Sequence, residues 1–129
     1  MVKKLSGGVA VIEVEGKHFL IQQSNNKPFG SQWRHPGGSF EENETEAEGI
    51  AREIKEEINL DIKVLDEKPI HIEKTDYKSH YFGFYKAVII GGEMKVDMNE
   101  IQGYGYFTID EIKRLSLMKA TRSFYDKNF

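Results

Sequence analysis

Cysteine is absent from the 129-residue chain. That excludes disulfide staples and thiolate metal centres, so stability has to come from packing. Long apolar runs are absent too. A basic start, Met1–Lys4, leads into the apolar stretch Val9–Ile12, but Glu13 and Glu15 cut it off well short of a signal-peptide core. No run approaches the roughly 20 apolar residues that cross a bilayer. The expectation is a cytoplasmic protein with no membrane partner. A strong charge of either sign is also lacking. Eighteen basic and 21 acidic side chains leave a net charge of −3, which offers no bulk attraction to a nucleic-acid duplex. Linkers, repeats and low-complexity segments are missing, so residues 1–129 are expected to form one domain.

What is present is ordinary for a globular protein, 39% apolar and 30% charged residues. Residues 8–14 and 18–22 read as two strands joined by a hairpin turn at Glu15-Gly16-Lys17. Residues 24–38, rich in asparagine, glycine and proline, read as a long loop of the kind that carries function. Ala47, Ile50, Ala51, Ile54 and Ile58 recur at helical spacing and predict a helix over 45–58. Asn43 and Glu46 suggest a capping-box-like start, and Asn59 a left-handed C-cap. Residues 61–73 predict strand, broken near Pro69. Residues 79–90 predict a long strand with His80, Phe82, Phe84, Val88 and Ile90 on one face, interrupted by Lys86. Gly91-Gly92 then turns the chain. A strand over 104–108, a short helix over 110–115 and an amphipathic helix over 117–125 follow. This order predicts an α/β fold, a mixed sheet with helices packed on it.

The helix over 45–58 has a second face. Glu53, Glu56 and Glu57 lie at i, i+3 and i+4, so their carboxylates converge. Like charges so placed cost a helix a few tenths of a kcal/mol per pair, roughly. A hard divalent cation reverses that sign, because carboxylate oxygens are the ligands magnesium prefers. Taken alone, three glutamates on a helix describe a solvated acidic face. The context points elsewhere. Pro36-Gly37-Gly38 just upstream can bring bare backbone close to a ligand, and Arg52 can hold a carboxylate by a forked hydrogen bond.

Together these residues resemble the Nudix box. Gly38 is followed after five residues by Glu44, and seven more lead to Arg52-Glu53-Ile54-Lys55-Glu56-Glu57-Ile58 and then Asn59-Leu60. Asn59 stands where the pattern has its last glycine. Trp33-Arg34-His35-Pro36-Gly37-Gly38 resembles the approach to the box, and Gly103–Phe107 with Thr108–Ile112 its closing strand and short helix. The resemblance implies the family's α/β/α sandwich around a mixed β-sheet. It implies that Glu53, Glu56 and Glu57 bind metal, that Gly37 offers a carbonyl to it, and that Arg52 orients the carboxylates. Glu44 corresponds to a box acid that supports the loop–helix junction. Glu100, before the closing strand, is placed where members put a further ligand or general base. Arg34, His35 and Gly38 flank the box and are candidates for substrate contact.

The chemistry so implied is water attack at phosphorus, splitting a nucleoside diphosphate linked to another group, with Mg2+ as cofactor and Mn2+ able to substitute. Two other functions are carried forward. Tyr77, 17 residues past Leu60, resembles the tyrosine of dinucleoside polyphosphate (Ap4A-type) hydrolases; the proline of ADP-ribose-cleaving members has no counterpart around Lys74-Thr75-Asp76. A non-catalytic nucleotide-binding module is the third, against which the intact acids argue. Phe19, Trp33, Tyr77, Tyr81 and Tyr85 could stack a base, though aromatics on strands mostly fill cores. His18, His71 and His80 show no metal-ligand spacing and are read as structural or surface residues. The partner is a small nucleotide, and the chain a monomer or homodimer.

Overall fold

The architecture follows from one strand, β1 (Gly7–Val11), whose residues are all buried. Successive side chains of a strand point to opposite faces. Accordingly Ala10 joins one apolar cluster, with Ile12 just beyond the strand, while Val9 and Val11 join another. A strand buried on both faces requires helices on both sides. The computed structural model describes residues 5–75 and 80–129. It contains β1, β2 (Glu13–Val14), β3 (Lys17–Gln23), β4 (Trp33–Arg34), β5 (Gly37–Ser39), α1 (Glu46–Ile58), β6 (Leu60–Val64), β7 (His71–Lys74), β8 (Tyr81–Gly92), β9 (Ile101–Phe107), α2 (Ile109–Lys113) and α3 (Lys119–Asn128).

One sheet has the order β5-β1-β8-β6, with β7 also on β8; a second has β2-β3-β4, with β9 on β3. β1 runs parallel to β8 and antiparallel to β5, so the first sheet is mixed. Helix α1 covers one side with Ile50, Ile54 and Ile58, packed on Phe19, Ile21, Tyr85 and Ala87. Helices α2 and α3 cover the other with Ile112, Phe124 and Tyr125, packed on Leu20 and Phe84. This is the expected sandwich of helices about a mixed sheet.

The hairpin between β2 and β3 turns on Glu15 and Gly16, both at positive φ, the two-residue geometry that suits strand twist. Four expectations need correction. The capping box of α1 is Thr45 with Glu48, two residues beyond the expected pair. Asn43 sits at φ 64, a left-handed conformation, whereas an N-cap is extended, as Thr45 is at φ −73 and ψ 162. The expected long loop contains β4 and β5. Gly91 and Gly92 do not turn the chain but extend β8 in register with Asp61 and Leu60. On β8, Phe84 is buried but Val88 and Ile90 are 37% and 64% exposed, because α3 covers only the first half of that face. Beyond it the buried residues belong to the opposite face, Tyr85 and Ala87.

Candidate active site

Two glycine strands bring the backbone of β5 against β1 and α1. Gly37 lies at φ +141, and a Cβ there would sit 2.2 Å from the Gly8 carbonyl oxygen. A Cβ on Gly38 would sit 2.7 Å from Glu53 Oε2. The missing side chains therefore let the Glu53 carboxylate lie directly on the β5 backbone. Asn59 ends α1 at φ 61, and its side-chain amide donates to the Glu93 carbonyl at 2.9 Å. The predicted left-handed cap is present.

Arg52 organises the acids. Its Nε and Nη2 donate to the two oxygens of Glu44 at 2.6 and 3.0 Å, a forked pair. Nη1 donates to Glu53 and Glu56, both at 3.2 Å, and pairs with Glu41 at 3.3 Å. Nη2 also donates to the Ser39 carbonyl at 3.0 Å, tying the helix to β5. These bonds hold the Glu44 carboxyl below its ordinary range. Glu53 goes the other way. Burial and the neighbouring Glu57 charge raise its pKa against the pull of Arg52.

Glu57 faces β4 and β5. One oxygen accepts from the Gly37 amide at 2.9 Å, the other from Arg34 Nη2 at 2.7 Å. Arg34 is itself held by Gln23 and by the His35 carbonyl. A cleft of about 340 Å³ opens here. Glu53, Glu57, Arg34, Gly37, Gly38 and Ser39 form its charged end; Val9, Phe82, Phe84, Met118 and Ala120 form an apolar end. Arg34 is the one cationic side chain among the described lining residues, since His35, fully buried, has its pKa lowered to about 3, chiefly by that burial.

The NUDIX domain family model matches residues 3–127. The chain belongs to this family. Within it, the chain is 33% identical over 110 residues to an ADP-ribose pyrophosphatase of Methanocaldococcus jannaschii, covering 82% of this chain and 63% of that one. It is 36% identical over 61 residues to an 8-oxo-dGTP diphosphatase of Proteus vulgaris, covering 46% and 54%. It thus spans less than two thirds of these relatives' own length. Solved structures share the fold: a MutT NUDIX hydrolase from Burkholderia pseudomallei (TM-score 0.77, 23% identity, 95% and 96% covered) and a MutT protein from Methanosarcina mazei (0.75, 21%, 94% and 89%).

On this NUDIX scaffold the predicted site residues separate. Glu53, Glu57, Arg34, His35, Gly37 and Gly38 line the cleft together. Glu56 is 60% exposed and turned to Arg52. Glu100 pairs with Lys27 at 2.8 Å and is not among the cleft-lining residues. Tyr77 lies outside the described residues. Among the described residues no three acidic or histidine side chains are gathered as a ready metal cluster. The oxygen donors that do meet are two carboxylates and the Gly37 backbone, a set that fits a hard divalent cation. Of the aromatics considered for stacking, Phe19 and Tyr85 are buried in the core and Trp33 packs edge-on against Phe107. Phe82 and Phe84 line the cleft instead. Their alternation along one strand was the available signal.

Proposed function

We propose that this NUDIX protein is a magnesium-dependent pyrophosphohydrolase of small nucleotides, cleaving a phosphoanhydride bond in a nucleoside diphosphate linked to another group by water attack at phosphorus. The observation that carries this reading is the cleft itself. Two carboxylates, one raised in pKa by burial and then by the other's charge, face a glycine backbone and an arginine at one end, and an apolar floor receives an aromatic base or another planar group at the other. Glu53, Glu57 and the Gly37 carbonyl would hold the metal, with Glu56 joining when it leaves Arg52. When bound, the metal neutralises phosphate oxygens and lowers the pKa of a bound water. Arg52 keeps the acids on one side of the helix. Arg34 brings positive charge to the phosphates beside Glu57. A carboxylate raised in pKa is suited to take the water's proton.

The relatives' activities, on ADP-ribose and on 8-oxo-dGTP, set the first substrates to try, together with ordinary nucleoside triphosphates and diadenosine polyphosphates. The test is a panel of these with chelated protein, then added Mg2+ or Mn2+, products identified and the entry of labelled water oxygen followed. Hydrolysis that appears only with metal, labelling one phosphate product, supports the reading. Undiminished turnover in chelator overturns it. Nucleotide binding without turnover across the panel identifies a binding module instead.

A further inference from the structure

Behind the apolar end of the cleft runs a line of polar groups. Glu13, exposed, accepts from His18 Nε2 at 3.3 Å. His18 Nδ1 lies 2.7 Å from the Tyr125 hydroxyl, and that hydroxyl lies 2.8 Å from His35 Nε2. His18 is 2% exposed, and Tyr125 and His35 are fully buried. The rings of Phe84 and Phe124 stand edge-on to His35 at 5.5 and 5.4 Å, and Tyr125 stacks on it. His35 Nδ1 is the only buried side-chain nitrogen or oxygen, among the described residues, without a hydrogen-bond partner.

The donors can be assigned in order. A carboxylate only accepts, so His18 carries its proton on Nε2. Neutral His18 then has a bare Nδ1, which takes the single hydroxyl hydrogen of Tyr125. The Tyr125 oxygen can therefore only accept from His35, whose proton is on Nε2. Neutral His35 is left with a bare Nδ1. Burial lowers the pKa of both rings, in keeping with neutral imidazoles. The outcome is a lone pair of fixed direction in a residue of the cleft wall, beside Phe84 and Thr121.

Resting on the nucleotide reading above, we propose that His35 Nδ1 is a recognition site for a hydrogen-bond donor, a hydroxyl or amino group of the bound nucleotide, and that Tyr125 and His18 are positioning residues that hold it in this state. A phosphate oxygen, itself an acceptor, is repelled there. Labour in the cleft is then divided: Arg34 meets phosphate, and His35 meets a donor group at the inner end. A buried acceptor left unpaired discriminates against ligands that lack the donor.

The test uses the full chain labelled with 15N at histidine. In the free protein the His35 resonances should show a protonated Nε2 and a bare Nδ1, and Tyr125→Phe should abolish that fixed tautomer while the fold persists. A protonated Nδ1 in the free protein overturns the proposal outright. Next, the wild-type protein is titrated in magnesium with methylene-bridged analogues of ADP-ribose and of 8-oxo-dGTP that resist hydrolysis, binding being followed on the α1 amides. The Nδ1 resonance should move at saturation with the bound nucleotide and stay in place with inorganic pyrophosphate. His35→Phe should weaken nucleotide binding by about tenfold and pyrophosphate binding hardly at all. Saturated α1 amides with an unmoved Nδ1 refute the His35 site and leave the hydrolase reading standing. Silence of the α1 amides toward every nucleotide removes both.

Discussion

The two ends of the cleft handle polarity in opposite ways. At the glutamate end, four carboxylates surround the Arg52 guanidinium and a fifth pairs with Arg34. Charge is balanced by charge, partly open to water. At the aromatic end, two histidines are buried and joined through one tyrosine hydroxyl, and one ring nitrogen, His35 Nδ1, is left without a partner. The first arrangement responds to ions, because a cation can replace an arginine. The second responds to shape and to hydrogen-bond direction. One cleft can thus read phosphates by charge and the remainder of a ligand by fit.

The contrast breaks most severely at Phe124. It is fully buried, stacks on Phe84 at 4.8 Å, and touches His35 and His71 edge-on. Phe124→Ala should cost about 3–5 kcal/mol of stability through the cavity it leaves. The cost should be equal with and without magnesium, as denaturant melts in both conditions will show. A loss that magnesium repairs would mean that the two ends are not separate.

Glu57→Gln should have the converse profile. Turnover should fall about 100-fold, near 2.7 kcal/mol of transition-state stabilisation. Mutual repulsion among the glutamates alone predicts a variant at least as stable as wild type without metal. The structure revises this, because Arg34 loses its ion pair, so a loss of about 1 kcal/mol is expected in chelator. The gap should widen in magnesium, where wild type gains about 2.7 kcal/mol at a hundredfold excess over the dissociation constant. Thermal melts in both buffers and one rate measurement decide it.

One charge at the aromatic end sharpens the rule. Glu73 joins β7 to α3, accepting from Ser123 at 2.7 Å, His71 at 2.8 Å and Lys127 at 3.3 Å. Burial pushes its pKa up, but these three bonds outweigh it and the net shift is downward. A carboxyl with a lowered folded-state pKa contributes stability above its unfolded value and loses it as the pH falls through the folded one. Glu73→Gln should therefore melt below wild type at pH 7. The difference should shrink as the pH drops beneath the ordinary value of 4.5. A constant difference from pH 7 to 3 would show that the contact works by packing alone.

The smallest effect concerns the end of α1. Asn59→Ala should cost about 1 kcal/mol, since alanine resists the left-handed conformation. Asn59→Gly should stay within about 0.5 kcal/mol of wild type, freer backbone offsetting the lost bond to the Glu93 carbonyl. A glycine variant as unstable as the alanine one would place the asparagine's value in its side chain.

Legibility in the sequence followed distance along the chain. Helix α1, its C-cap and its acid face were readable because periods of three and four residues are local. The hairpin at Glu15-Gly16 was readable for the same reason. The capping box slid by two residues because Asn43 with Glu46 and Thr45 with Glu48 both satisfy the spacing, and only backbone conformation separates them. Strands β4 and β5 are too short to show alternation. The Arg34–Glu57 pair spans 23 residues and the Tyr125 contacts span 90 and 107. No period links such residues, so the neutral line behind the cleft emerged only from the packing of α3.

The pairing of β1 with β8 also has a consequence in time. Ribosomes deliver the N-terminus first, and β1 finds its parallel neighbour only when residues 82–86 have emerged. β3 likewise awaits residues 101–107 of β9. Two apolar strands made early stay half-paired through most of synthesis. Contacts of such long sequence separation slow folding and leave strand edges open to association meanwhile. Expression yield should accordingly respond more to translation speed and chaperone supply than the stability of the finished protein would suggest.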